Sequence, residues 1–285
     1  MTAVALDGLV LGLQFAVLGV GLTLVYGLGG VLNLAHGQMA VLSAIIIARS
    51  MDAGLNLWLA IPIGVISIGL LGLILDRTLM QPVYRQTGEN RILLGLLLML
   101  GFGFVIDGIL EWRYPIEALS IRVEGPPVDI AGVAMRRGSL VASAIILVLG
   151  AGLFFVFQRT TFGRATRSVI QDEEGARLCG IDPTLIRTIV FGVSGLLAAA
   201  VGVTRALTTP VVSTAGVNLT IFALIVAVVG GLGSVSGAFL AGIILGVVST
   251  ISAFYIGSYI TTIVLLAAAA AVIVLRPSGL LGDHS

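Results

Sequence analysis

"GLGGVLNLAHGQMAVL", residues 27–42, decides how the rest of the chain is read. It holds an amide at Asn33, an imidazole at His36 and a second amide at Gln38, set among Gly27, Gly29, Gly30 and Gly37. From Gly8 to Ala48 there is no Asp, Glu, Lys or Arg. A helix crosses the hydrocarbon core with roughly 20 apolar residues, so this run lies at membrane depth. The glycines break the helix between about 27 and 37, and irregular backbone is tolerated there only if buried in protein or lining a cavity. Polar side chains inside a membrane are costly and face the interior of the bundle. Two readings stay open. Asn33 and His36 cap the freed helix ends, or they join Gly37 and Gln38 in lining a path and touch a solute.

Composition agrees. The 285 residues are 58% hydrophobic and 10% charged, against about 25% charged in a soluble domain. A net charge of +1 gives no basic face for nucleic acid. The single cysteine, Cys179, excludes an internal disulfide and a cysteine metal cage. No basic region precedes the first apolar run, so that run is expected to stay as a span rather than be cleaved as a signal peptide.

Apolar stretches at 6–26, 37–53, 53–75, 92–110, 139–157 and 185–207 read as helical spans. Ala206 to Leu275 then carries no charge, room for about three more crossings. Glycines interrupt it at 230–237. The expected fold is an all-α polytopic membrane protein of eight or nine transmembrane or re-entrant helices, broken near 27–37 and 230–237, in one domain over 1–285. Arginines crowd two loops, at 77, 85 and 91 and at 159, 164, 167, 177 and 187, which the positive-inside rule places in the cytoplasm. The loop 111–137 then faces outward, with a small hairpin expected around Gly125-Pro126-Pro127. Nine crossings put the N-terminus outside. Asp107 and Glu111 fall near the outer interface, solvated or paired with Arg113, and Trp112 and Tyr114 fit an aromatic belt.

"GGVLNLAHGQMAVLSAIIIA" and "GGLGSVSGAFLAGIILGVVS" echo one another, as internal repeats of transporters do. Gly230, Gly231, Gly233 and Gly237 serve close packing or a hinge on the path. Gly8-x3-Gly12 and Gly242-x3-Gly246 have the small-residue spacing of tightly packed membrane helices.

The loop 159–185 has its own design. Asp172 is placed to cap a short helix whose first turn holds Glu173 and Glu174 and whose last holds Arg177. Gly180 suits the left-handed position after that helix, and Asp182-Pro183 starts the next one. Ala176, Leu178, Cys179 and Ile181 are the apolar material with which such a helix would dock on a partner protein. The competing reading is an ordinary capped loop helix.

Five stretches together resemble the inner-membrane permeases of branched-chain amino acid ABC importers, of the subtype with an Asn-hydrophobic-Ala-His-Gly motif. They are "GLTLVYGLGGVLNLAHGQMAVLSA" (21–44), "DRTLMQPVYR" (76–85), "TTFGRATRSVIQDEEGARLCGID" (160–182), "AVVGGLGSVSGAFLAGIILG" (227–246) and "RPSGLLG" (276–282). The resemblance implies a helical permease in a bacterial or archaeal inner membrane, dimeric and often paired with a sister permease. It implies two ATPase subunits and an extracytoplasmic binding protein as partners. It implies that Gly163, Arg164, Asp172, Glu173, Ala176, Leu178 and Gly180 belong to an ATPase-docking loop. Leucine, isoleucine and valine are the implied cargo, with urea, short amides and organic or aromatic acids moved by relatives.

One point stands apart from resemblance. All 15 basic residues are arginine, and a P-loop needs its lysine on the β/γ-phosphates. ATP and Mg²⁺ are therefore expected on partner chains, and no cofactor on this one. An ion-coupled secondary transporter is the rival; it would need embedded carboxylates or lysines, which the deep spans nearly lack. An intramembrane enzyme is disfavoured: there are two histidines, His36 and His284, without a nucleophile–base pair or a metal cluster.

Overall fold

The computed structural model describes residues 2–115, 118–121, 123, 125–130, 133–276 and 278–281; His284, Pro277 and Gly282 lie outside them. The helices are α1 (Thr2–Gly29), α2 (His36–Asp52), α3 (Leu57–Leu75), α4 (Gln81–Tyr84), α5 (Gly88–Arg113), α6 (Arg137–Arg159), α7 (Thr161–Gln171), α8 (Glu173–Leu178), α9 (Pro183–Thr208), α10 (Ala215–Gly230), α11 (Val235–Tyr255) and α12 (Ser258–Leu275). A π-helical turn, Asp76–Met80, joins α3 to α4. Among the described residues six helical stretches are long and apolar enough to cross a membrane: α1, α3 with its extension to Tyr84, α5, α6, α9 and α11. α10 and α12 hold shorter apolar helices, and α2 is a 17-residue helix ending at Arg49 and Asp52.

Burial divides these helices. In α1 and α9 the most apolar 18-residue window is 83% buried, whereas in α3, α5 and α6 it is 22–28% buried. The outer helices show Leu, Ile and Phe to their surroundings, as a lipid-facing helix does. The central pair is rich in small residues, which let backbones approach. A Cβ on Gly246 would lie 2.1 Å from the Gly12 Cα, and one on Gly242 2.3 Å from the Ala16 Cα. The expected small-residue seam thus forms between α1 and α11. These two helices run antiparallel, Gly8 against Val247 and Gly27 against Gly233. On α9, Gly202 packs on the Ala40 backbone and Gly195 on Ile68.

The internal echo has a spatial counterpart. α1 packs on α11 and α10 on α2, the pairing that exchange of α1–α2 with α10–α11 leaves unchanged. The first pair is interrupted by residues 30–35 and the second by the tight turn 231–234.

On the side away from the arginine-rich loops, β1 (Ala118–Leu119) pairs antiparallel with β4 (Val211–Val212). β2 (Val128–Ile130) pairs with β3 (Val133–Met135). The hairpin therefore follows Gly125-Pro126-Pro127 instead of turning there. Proline lacks the N–H a ladder needs, and the alternating "VDIAGVAM" supplies the strands.

Candidate functional site

α1 ends at Gly29 with Gly30 at φ +64°, and the chain returns toward the middle of the bundle before α2 starts. Asn33 shapes that return: its Oδ1 accepts from the Ala35 N–H at 3.1 Å, and its Nδ2 lies 3.6 Å from the Met39 Sδ. Both contacts are local, as in a turn-capping residue. His36 is fully buried, with Nδ1 3.4 Å from the Ser194 Oγ of α9. Its ring fills the space a side chain at Gly21 would need. The Nε2 lies against α1 at Gly21 and has no hydrogen-bond partner among the described residues.

Gly37 and Gln38 make the tightest crossing. A Cβ on Gly37 would sit 2.1 Å from the Gly216 carbonyl oxygen of α10, and its N–H donates to the Thr220 Oγ1 at 3.0 Å. The Gln38 Oε1 lies 3.1 Å from the Thr220 hydroxyl, while its Nε2 donates to the Asp107 Oδ2 at 3.3 Å. Three helices are joined through one amide. This corrects the expectation for Asp107: it turns inward to Gln38, and Arg113 stacks on Tyr114 at 5.3 Å. Spacing along one helix could not reveal a partner 69 residues away.

The second glycine cluster is a turn. Gly231 and Gly233 adopt φ +104° and +93°, closed to most L side chains. Gly230 and Gly237 touch through backbone, a Cβ on Gly237 falling 2.0 Å from the Gly230 carbonyl oxygen. The "RPSGLLG" stretch returns here, Leu280 N–H donating to Val229 O at 2.9 Å.

The capped loop helix forms as its residues require. Asp172 Oδ1 accepts from the N–H groups of Glu174 and Gly175, each at 3.0 Å. Gly180 lies at φ +80°, and Asp182 caps α9 through Thr184 N–H at 2.9 Å. Gly163 lets α7 fold against the end of α6, a Cβ there being 2.2 Å from the Phe157 carbonyl oxygen. The docking residues divide into two sets. Ala176 is buried and turned away from any docking surface, unlike the exposed apolar residue expected, while Ile181 is half-buried against the core. Ala176 sits on the face of α8 turned toward the bundle, and Ile181 in the link from α8 to α9. Leu178 is 91% exposed, and Arg164, Arg177 and Cys179 are exposed with it.

Beneath α8 lies a polar cluster that sequence reading missed. Glu173 pairs with Arg177 at 2.8 Å and with Arg187 of α9. Arg187 also donates to the Leu28 carbonyl at 3.0 Å, one residue before α1 ends, and stacks on Tyr84 at 4.9 Å. The Tyr84 hydroxyl lies 3.2 Å from Asp76 Oδ1, and the Thr188 hydroxyl 2.6 Å from Asp76 Oδ2. This cluster ties α8 to the end of α1 beside the interruption. The one available signal was the buried Asp76 in "DRTLMQPVYR", a carboxylate at the end of an apolar run.

A model of the family described as branched-chain amino acid transport system / permease component matches residues 4–275. The chain belongs to that family. It is a transport permease, the membrane subunit of an ABC importer, and a multi-pass membrane protein. It is similar to the high-affinity branched-chain amino acid transport system permease protein LivH of Salmonella typhimurium, 26% identical over 97% of this chain and 94% of that one. It is similar to BraD of Pseudomonas aeruginosa, a permease protein of the same description, 27% identical over the same shares. In fold it resembles a chain of PsaBC from Streptococcus pneumoniae, with a TM-score of 0.54, 12% identity and coverage of 95% of this chain and 91% of that one. Permeases of this family work with an ATPase and a binding protein.

Proposed function

We propose that this chain forms the path by which branched-chain amino acids enter a bacterial or archaeal cell across its inner membrane. An extracytoplasmic binding protein delivers the solute. Two cytoplasmic ATPase subunits hydrolyse ATP, and a sister permease completes the membrane dimer. Loop 159–185 receives the force. The observation that carries this reading is the link from Glu173 through Arg187 to the Leu28 carbonyl. A docked partner that displaces α8 pulls on the end of α1, next to residues 30–35. Arg164 and Leu178 provide the outward contact. Asp172, Glu173, Ala176, Gly163 and Gly180 hold the loop's shape.

Asn33, His36, Gly37 and Gln38 act as the hinge wall of the path: Asn33 bonds within its own turn, His36 Nδ1 meets α9, and Gly37 and Gln38 bond α10 and α5. Gly230, Gly231 and Gly233 keep the second turn tight enough for α1 and α11 to pack. The lack of lysine for a P-loop supports placing ATP and Mg²⁺ on the partners, with none held here.

The test is reconstitution with the sister permease, ATPases and binding protein, measuring ATP hydrolysis with leucine, urea or an aromatic acid loaded on the binding protein. Leu178→Glu is the coupling control, because Leu178 makes no internal packing to lose. Leucine-stimulated hydrolysis that L178E abolishes supports the reading. Stimulation by urea or an aromatic acid alone reassigns the cargo. Uptake by the permease alone on an H⁺ or Na⁺ gradient, with Asp107 as its carboxylate, replaces the reading with an ion-coupled one.

A further inference from the structure

On the side opposite the arginine-rich loops, the ends of α1, α6, α9 and α11 enclose a cavity of about 420 Å³. That volume lies in the range of small-molecule sites, roughly 300–1,000 Å³. Arg205, Arg136 and Asp7 line it, with Gln14 on one wall and Leu11 and Met135 on another. Among the described residues Arg205 and Arg136 have no carboxylate within ion-pair distance, and Asp7 has no cation. Gln14 is 1% exposed, and its Nε2 donates to nothing. A buried amide without a partner is unfavourable in an empty site, and Arg205 is partly buried beside it, while Asp7 and Arg136 reach the cavity from its exposed rim. The first turn of α6 holds no acidic residue and opens into the same space at Ser139, adding positive potential.

We propose that this cavity is an outer recognition site for a small carboxylate. Resting on the transport reading above, that ligand is an amino acid. Arg205 and Arg136 face its carboxylate, as guanidinium groups do. Asp7 faces the ammonium, Gln14 donates into the site, and Leu11 and Met135 take the aliphatic side chain. Two guanidinium groups against one carboxylate match a zwitterion better than they match urea, which carries no charge.

The experiment uses the whole transporter complex in nanodiscs, with Cys179→Ser and Thr209→Cys. Thr209 is exposed and lines the cavity. The rate of T209C labelling by a thiosulfonate reagent is measured with leucine, 4-methylpentanoate or leucinamide. Leucine is expected to slow labelling at least fivefold, 4-methylpentanoate less, and leucinamide not at all. Arg205→Gln should raise the leucine concentration for half protection about tenfold or more. Arg136→Gln, on an exposed residue, repeats the test if R205Q does not assemble. No protection by either carboxylate overturns the proposal, as does equal protection by leucinamide. Constitutive protection in phosphatidylglycerol discs that phosphatidylcholine discs relieve also overturns it, assigning the site to a lipid headgroup. Protection by leucine without ATP-driven uptake would leave the site standing and the transport reading refuted; uptake without protection would do the reverse.

Discussion

Glu173 pairs with two arginines, and the structure says that only one of the pairs matters much. Arg187 is 6% exposed in its side chain and Arg177 57%, with Glu173 at 32% between them. Glu173→Ala leaves the Arg187 guanidinium buried with the Leu28 carbonyl and the Tyr84 ring but no ion-paired carboxylate, Asp76 acting on it only at longer range. Removing one partner of a buried pair costs about 3–5 kcal/mol. Glu173 is a third exposed, so screening discounts this to about 2–3 kcal/mol. Arg177→Ala removes only the surface pair, worth about 0–1 kcal/mol. Arg187→Met removes the buried charge together with its bonds, and some of the loss is offset by the guanidinium's avoided desolvation. The E173A/R187M double variant should therefore be more stable than the sum of the single variants by about 1–2 kcal/mol. The assay is thermal inactivation of the purified complex, with uptake per ATP measured alongside. E173A is expected to lower the midpoint by about 5 °C and R177A to leave it nearly unchanged. Uptake per ATP should fall in E173A and R187M. Equal effects of E173A and R177A, or a strictly additive double variant, would refute the link between α8 and α1.

Other outcomes follow from single contacts. Gly246→Val should prevent stable assembly, because its Cβ meets the Gly12 backbone and overpacking costs at least about 1–3 kcal/mol; Gly101→Ala, with open space around it, should be neutral or slightly stabilising, and thermal stability of the two compares them directly. Asp172→Ala should cost about 1 kcal/mol through the lost cap, and Asp172→Ser should restore most of it in the same assay. Asp107→Leu, which strands the Gln38 amide, should cost about 1–3 kcal/mol. Asp107→Asn should leave ATP-driven uptake intact; complete loss of uptake from an assembled D107N complex would mark Asp107 as a proton or ion carrier.

The sequence by itself determined the helical membrane fold, the interruptions near 30–35 and 231–234, the small-residue seam and the capped loop helix. The signal for each lies within a few positions, although which helix the small-residue stripe of α1 meets, α11, is set by packing. A charge-free run forces helix in lipid, a glycine permits a turn, and an aspartate caps the residues just after it. What only tertiary structure decided is which polar group meets which. Gln38 with Asp107, His36 with Ser194, and Arg187 with Leu28 are joined across helices far apart in the chain, and Arg187 with Glu173 across the turn between α8 and α9. The inward face of Ala176 likewise depended on how α8 lies on the bundle. Helical periodicity states that a face exists, whereas packing against a particular neighbour chooses what that face touches. In a membrane the choice weighs heavily, because a polar side chain left without its partner has no water to replace it.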